Sequence, residues 1–239
     1  MERTYSWSAF LWVGLLPAIA HADTFVTTVF FATGNEARVG LECPLPIAVE
    51  RDMGPQGERV HMALLDCGRV PTEEAIVAIS VLARPRNVPL PTDDQVREFD
   101  PESHPGFVAE GVRRVDPELL DRLQRIGESF EGHTIQIYSG YRPGSARTSR
   151  HHQGRAFDLT VEGVERERVR DVALGFERTG VGWYPNSVFV HVDVREESHY
   201  WVDASAPGEP ARYVRDAAPP PPSADEISAM LDGISIPEL

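Results

Sequence analysis

Two short runs constrain this chain more than any other feature: Ser149-Arg150-His151-His152-Gln153-Gly154-Arg155-Ala156-Phe157-Asp158, and the later Phe189-Val190-His191-Val192-Asp193. His151 and Asp158 stand seven positions apart, with Gly154 between them to let the chain turn sharply. One ligand-type side chain can then leave a loop and the other the strand that follows. His191 supplies a third. Two imidazoles and one carboxylate leave the fourth tetrahedral position open for water, the pattern of a catalytic rather than a structural zinc ion. A closed structural site takes four protein ligands, usually with cysteine. Any fold for this chain must therefore carry two separated segments to one point.

The 239 residues hold one large domain or two small ones, and a hydrophobic content of 41% suffices for an ordinary core. Met1-Glu2-Arg3 precede an apolar run from Ala9 to Ala20 that is short for a bilayer span, and Ala20-His21-Ala22 fits signal-peptide cleavage. Residues 1–22 thus read as an export signal, with an uncleaved anchor as the competing reading and no integral membrane segment after signal removal. No cysteine sits at the cleavage point, which argues against lipid attachment. The expected location is periplasmic or extracellular. Cys43 and Cys67 are the only cysteines. In an oxidising compartment they predict one disulfide, worth roughly 3 kcal/mol by chain entropy; two free thiols are the alternative. A net charge of −14 argues against nucleic acid and anionic membranes as partners.

After the signal, Thr24 to Phe31 and Arg38 to Leu41 read as a hairpin around Gly34-Asn35, and Arg59 to Leu65 as a further strand. Thr72 to Ala83 reads as a helix capped by Thr72 and stopped by Arg84-Pro85. Arg84 to Pro105 carries five of the twenty prolines and reads as an irregular connection. Asp116-Pro117-Glu118 opens a helix whose Leu119, Leu123, Ile126 and Phe130 line one face. A half-buried strand from His133 to Ser139, a loop from Gly140 to Arg147 and a strand from Ala156 to Val161 follow. Val164 to Arg178 reads as a helix ended by Gly180, and Val188 to Val194 as the strand bearing His191. The expected organisation is a signal (1–22), a small disulfide-stapled mixed α/β region (23–105), a main domain (106–215) and a proline-rich tail (216–239).

Ser139-Gly140-Tyr141-Arg142-Pro143, Ser149-x-His151-x-x-Gly154-x-Ala156-x-Asp158 and Val190-His191-Val192-Asp193 together resemble the D-alanyl-D-alanine carboxypeptidase-type zinc metallopeptidases, nearest their YcbK-like exported branch. The resemblance covers roughly Asp116 to Val214. It implies an α+β, Hedgehog/DD-peptidase-like domain with a central antiparallel sheet and flanking helices. It further implies Zn2+ on His151, Asp158 and His191, and peptidoglycan peptides as substrate. Arg142 matches the family arginine that holds the substrate or its developing oxyanion. Tyr141 in the same turn, and Ser149 in a supporting role, join it as substrate-binding residues.

The best-known members carry a glutamate three residues, or a histidine two residues, before the last zinc ligand, whereas this chain has Val188 and Phe189 there. Asp193 lies two residues after His191, on the same face of a strand, where a carboxylate accepts the water's proton or orients a histidine. As the candidate catalytic base it predicts that Asp193→Ala loses turnover and keeps zinc. His133 and His199 are weaker candidates. Trp183, Tyr184 and Trp201 are cleft walls or ordinary core aromatics. A zinc-containing wall- or protein-binding module without turnover is the alternative to a carboxypeptidase-like enzyme.

Overall fold

The computed structural model describes residues 43–51, 58–215 and 217–220. The expected signal, the hairpin from Thr24 to Leu41 and most of the tail lie outside the described residues. In chain order the elements are β1 (Ile47–Arg51), β2 (Arg59–Met62), α1 (Glu73–Leu82), α2 (Asp93–Arg97), β3 (Phe107–Ala109), β4 (Val112–Arg113) and α3 (Pro117–Ser129). Then come β5 (Thr134–Ser139), α4 (Arg150–Gln153), β6 (Ala156–Val161), α5 (Arg166–Leu174), β7 (Thr179–Trp183), β8 (Val190–Val194) and β9 (His199–Val202).

Local chemistry sets the helix starts. The Thr72 hydroxyl accepts from the Ala75 amide at 3.2 Å, and Glu73 and Glu74 sit where the helix dipole favours anions. Asp116 accepts from the Glu118 amide at 3.0 Å, and Pro117 occupies a first-turn position that needs no amide donor. The predicted stripe Leu119, Leu123, Ile126 and Phe130 is buried. Helix α5 is shorter than expected: it stops at Leu174 with Gly175 as its cap, and Gly180 lies inside β7. The stretch from Arg84 to Pro105, expected to be irregular, contains α2 behind a Thr92–Gln95 capping box.

Seven strands form one sheet in the order β2-β1-β5-β6-β8-β7-β9. Pairing is antiparallel except for β1 with β5 and β7 with β9, so the expected antiparallel sheet is mixed. Between β2 and β5 the chain crosses over through α1 and α3, the kind of connection that the parallel pairing of β1 with β5 requires. Helices α3 and α5 pack on one face, where Ile135, Ile137, Phe157, Leu159, Val190 and Val192 are almost wholly buried. Every residue of β6 is buried, so this central strand has its second face covered as well.

The residues before position 106 share this framework. Val49 pairs with Ile135 and Arg51 with Ile137 across β1 and β5. Gln124 of α3, fully buried, accepts from the Leu64 amide at 2.9 Å and donates to the Leu45 carbonyl at 2.9 Å and to Glu128 at 3.0 Å. The predicted disulfide between Cys43 and Cys67 is present. A smaller apolar cluster of Val108, Ala109 and Val112 seats the β3–β4 hairpin against α1 and α2. Among the described residues no helix is long and apolar enough to cross a membrane.

Candidate metal centre

Register across five strands assembles the centre. Ser139 pairs with Asp158, Asp158 with His191, His191 with Gly182, and Gly182 with Trp201, which lays one row across β5, β6, β8, β7 and β9. The next row on the same face is Ala156, Asp193, Gly180 and His199. Side chains alternate along a strand. Phe157, Val190 and Val192 therefore enter the core while Asp158, His191 and Asp193 emerge together opposite. His151 arrives from α4, a single turn rather than the expected loop. Gly154 ends that turn with φ 73°, a conformation costly for any residue with a Cβ. A Cβ on Gly154 would also stand 2.6 Å from the Arg114 carbonyl.

Three ligand-type atoms converge. His191 Nδ1 lies 3.0 Å from Asp158 Oδ1, His151 Nε2 lies 3.3 Å from the same oxygen, and the two nitrogens are 3.1 Å apart. Bonds of about 2.0–2.1 Å at tetrahedral angles set ligand atoms about 3.3 Å apart, so this triangle fits a zinc-sized ion. Among the described residues this is the one group of three or more histidine, cysteine or acidic side chains that could hold a metal.

Both imidazoles are locked with a lone pair turned inward. His151 Nδ1 donates to the Gly140 carbonyl at 2.7 Å, which leaves Nε2 unprotonated toward the cluster. His191 Nε2 donates to Asp193 Oδ2 at 3.0 Å, which leaves Nδ1 free in the same way. Burial, then the neighbouring His191 and Arg142, pulls the His151 pKa down to about 3. Burial also lowers that of His191, outweighing the raising influence of Asp193. Neutral rings are what metal binding requires.

Asp193 is fully buried and already engaged. Besides His191 it receives Arg195 Nε at 2.7 Å on Oδ1 and Arg195 Nη2 on Oδ2. Burial raises its pKa, but the hydrogen bonds from His191 and Arg195 prevail and hold it below the usual range. Gly180 makes this clamp possible, since a Cβ there would sit 2.5 Å from Asp193 Oδ1. Arg142 reaches Asp158 Oδ2 through Nη2 while its Nε donates to Ser139 Oγ at 2.7 Å.

One cleft opens on the triad and a second runs along the strand and turn that carry Ser139 and Arg142. One, of about 540 Å3, is lined by Ser149, His151, His191, Asp193, Arg195 and Trp201. The other, of about 550 Å3, contains Ser139, Gly140, Tyr141 and Arg142 in its wall. The Trp201 ring lies 5.1 Å from that of His191, and its indole N–H donates to the Tyr184 hydroxyl at 3.3 Å. Trp183 instead packs beneath Arg166 and Arg170. His199 stacks on Trp201, His133 binds the Glu162 carbonyl, and His152 packs beside Tyr141. Sequence reasoning missed Arg195 and the Gly140 carbonyl. Alternation of His191, Asp193 and Arg195 at successive even steps was a signal for the first; nothing local marks the second.

Residues 106–200 match the family model described as peptidoglycan L,D-endopeptidase MepK. Proteins of that name from Escherichia coli and Shigella flexneri are each 34% identical to this chain over 107 residues, covering 39% of it. The matched part spans 59% of each relative's length. Together these matches bear out the resemblance read from the motif and agree with its YcbK-like branch.

Proposed function

We propose, from the match of residues 106–200 to the family model described as peptidoglycan L,D-endopeptidase MepK, that this chain is an exported zinc peptidase that cuts an internal amide of peptidoglycan peptides. The observation that carries the reading is the triangle of His151, Asp158 and His191, with edges of 3.0 to 3.3 Å and both rings locked with lone pairs inward. These three side chains would hold the ion. Zinc bound there supplies Lewis acidity, which polarises the scissile carbonyl and makes water nucleophilic near neutral pH.

The chain's own residues do the rest. Gly140 and Asp193 fix the two imidazoles, so Asp193 acts through His191 rather than on water. Arg142, tethered by Ser139, stands where a guanidinium stabilises charge developing on the carbonyl oxygen. Tyr141 lines one cleft and Ser149 the other, and both bind the substrate. An internal cut replaces the carboxypeptidase-like specificity expected from the motif, because the relatives are named endopeptidases. The architecture proposed for the domain is the Hedgehog/DD-peptidase fold. The disulfide between Cys43 and Cys67, with the cleavage pattern Ala20-His21-Ala22, supports an oxidising compartment.

One observation favours a second reading, a zinc-bearing wall-binding module. Where the best-known members place the base, this chain has Val188, 60% exposed, and Phe189, packed between Tyr138 and Tyr184. Incubating residues 23 to 239 with cell-wall sacculi, with and without a chelator, and weighing the released peptides separates the two. Chelator-sensitive release supports the enzyme. Stoichiometric zinc with no products across several wall chemotypes supports the binder.

A further inference from the structure

Strand β1 turns Ile47, Val49 and Arg51 to the same buried side, at 6%, 0% and 3% exposure. A position that alternation reserves for an aliphatic side chain thus holds a guanidinium. Nη1 and Nη2 of Arg51 are buried without a hydrogen-bond partner among the described residues. An unpaired buried charge is costly, and an arriving anion would offset that cost. Burial is also the main influence lowering the Arg51 pKa, with Arg84 adding to it and Glu58 opposing.

Arg51 lines the 550 Å3 cleft that holds Ser139 and Arg142, whose walls also carry Arg84 and Arg86 and, among the described residues, no acidic side chain. This concentration of cations is notable in a chain of net charge −14. Arg84 is held by a two-pronged contact with Glu58, and Arg142 by Asp158. Among the described residues the terminal nitrogens of Arg51 have no such counterpart. Ser139, Gly140 and Arg142 form the wall this cleft shares with the metal centre.

We infer that this cleft is an anion subsite that takes a carboxylate of the peptide substrate, with Arg51 as its principal donor. Carboxylate is the ligand because the peptidase reading supplies peptides; the inference rests on that reading for the ligand's identity only. A planar fork matches a carboxylate with two parallel hydrogen bonds, and the bound anion would neutralise the buried charge. Strand β1 lies outside the residues 106–200 that match the family. The amino-terminal region thereby contributes specificity to the site.

Calorimetric titration tests this with acetyl-alanyl-alanine, its carboxamide, and acetyl-alanyl-glutamic acid α-amide, on zinc-loaded and chelated protein. The free acid binds at least about tenfold tighter than the carboxamide in both states, because charge-assisted bonds from arginine rather than the ion carry the preference. The glutamyl peptide tells a side-chain carboxylate from a chain-end one: binding of either supports the subsite, and binding of neither overturns it. Arg51→Met erases the acid preference, leaves zinc content unchanged and raises the thermal midpoint of ligand-free protein, whereas a merely structural arginine would lower it. Should Arg51→Met fail to fold, Arg51→Lys keeps the charge without the fork, and a severalfold loss of preference is expected. An undiminished preference in the folded variant overturns the inference. Absence of zinc or of wall cleavage would sink the peptidase reading and leave the acid preference of chelated protein standing.

Discussion

Substituting Asp193 with asparagine separates ligand positioning from proton transfer. In the native arrangement Asp193 Oδ2 accepts from His191 Nε2 at 3.0 Å while Arg195 donates to both carboxylate oxygens. Asparagine keeps the shape and removes one acceptor. Whichever way the amide turns, its NH2 group faces either Arg195 or His191, and each of these is a donor. If it faces His191, the ring moves its proton to Nδ1 and blocks the lone pair turned toward Asp158. If it faces Arg195, a buried guanidinium loses half its anchor and the strand shifts. Loss of a partner that orients a metal-bound histidine typically weakens metal affinity 10- to 100-fold. The expected penalty is thus about 1.4–2.7 kcal/mol. Competition against a chelator of known zinc affinity measures it, with circular dichroism and a thermal melt reporting the fold. From sequence alone, Asp193→Ala is expected to keep zinc; the geometry now predicts weaker zinc for that variant too, together with a buried unpaired Arg195. Zinc affinity of folded Asp193→Asn within twofold of the parent would refute the positioning role.

Further outcomes follow from neighbouring contacts. Gly180→Ala drives a Cβ against Asp193 Oδ1 and the Arg195 guanidinium, and should reproduce the zinc loss of Asp193→Asn in the same chelator competition. Gln124→Leu orphans the Leu64 amide and the Leu45 carbonyl, and should cost about 2–4 kcal/mol in a urea melt. Reducing the disulfide between Cys43 and Cys67 should cost up to about 3 kcal/mol in the same assay. Metal-free protein should lose stability as pH falls from about 6.5, where an unfolded imidazole titrates, toward the His151 value of about 3. The sign follows because only the unfolded chain binds the proton in that window. A metal-free melting midpoint that stays flat or rises on acidification through it contradicts the buried neutral ring.

The parts of the fold legible in sequence were those written in local chemistry. Caps at Thr72 and Asp116, the apolar stripe of α3, the half-buried strand β5 and the strands β6 and β8 all declared themselves, because each depends on neighbours a few residues away. The His151, Asp158 and His191 set was legible for the same reason: type and spacing sufficed. What was hidden depends on partners distant in sequence. Strand β7 reads Thr-Gly-Val-Gly-Trp, and its glycines resemble a helix stop until β8 and β9 show that Gly180 and Gly182 clear space for Asp193 and Trp201. Strand β1 ends in a charge that only the tertiary cleft explains. The role of Asp193 was open in sequence because orienting a histidine and accepting a proton demand the same residue in the same place.

X-ray absorption at the zinc edge, on protein loaded with one equivalent of zinc, tests the central claim most directly. The account predicts two imidazole nitrogens and at least one carboxylate oxygen at about 2.0–2.1 Å. One imidazole should disappear in each of His151→Ala and His191→Ala. A spectrum left unchanged by both substitutions, or zinc that fails to bind the folded parent chain, would contradict it.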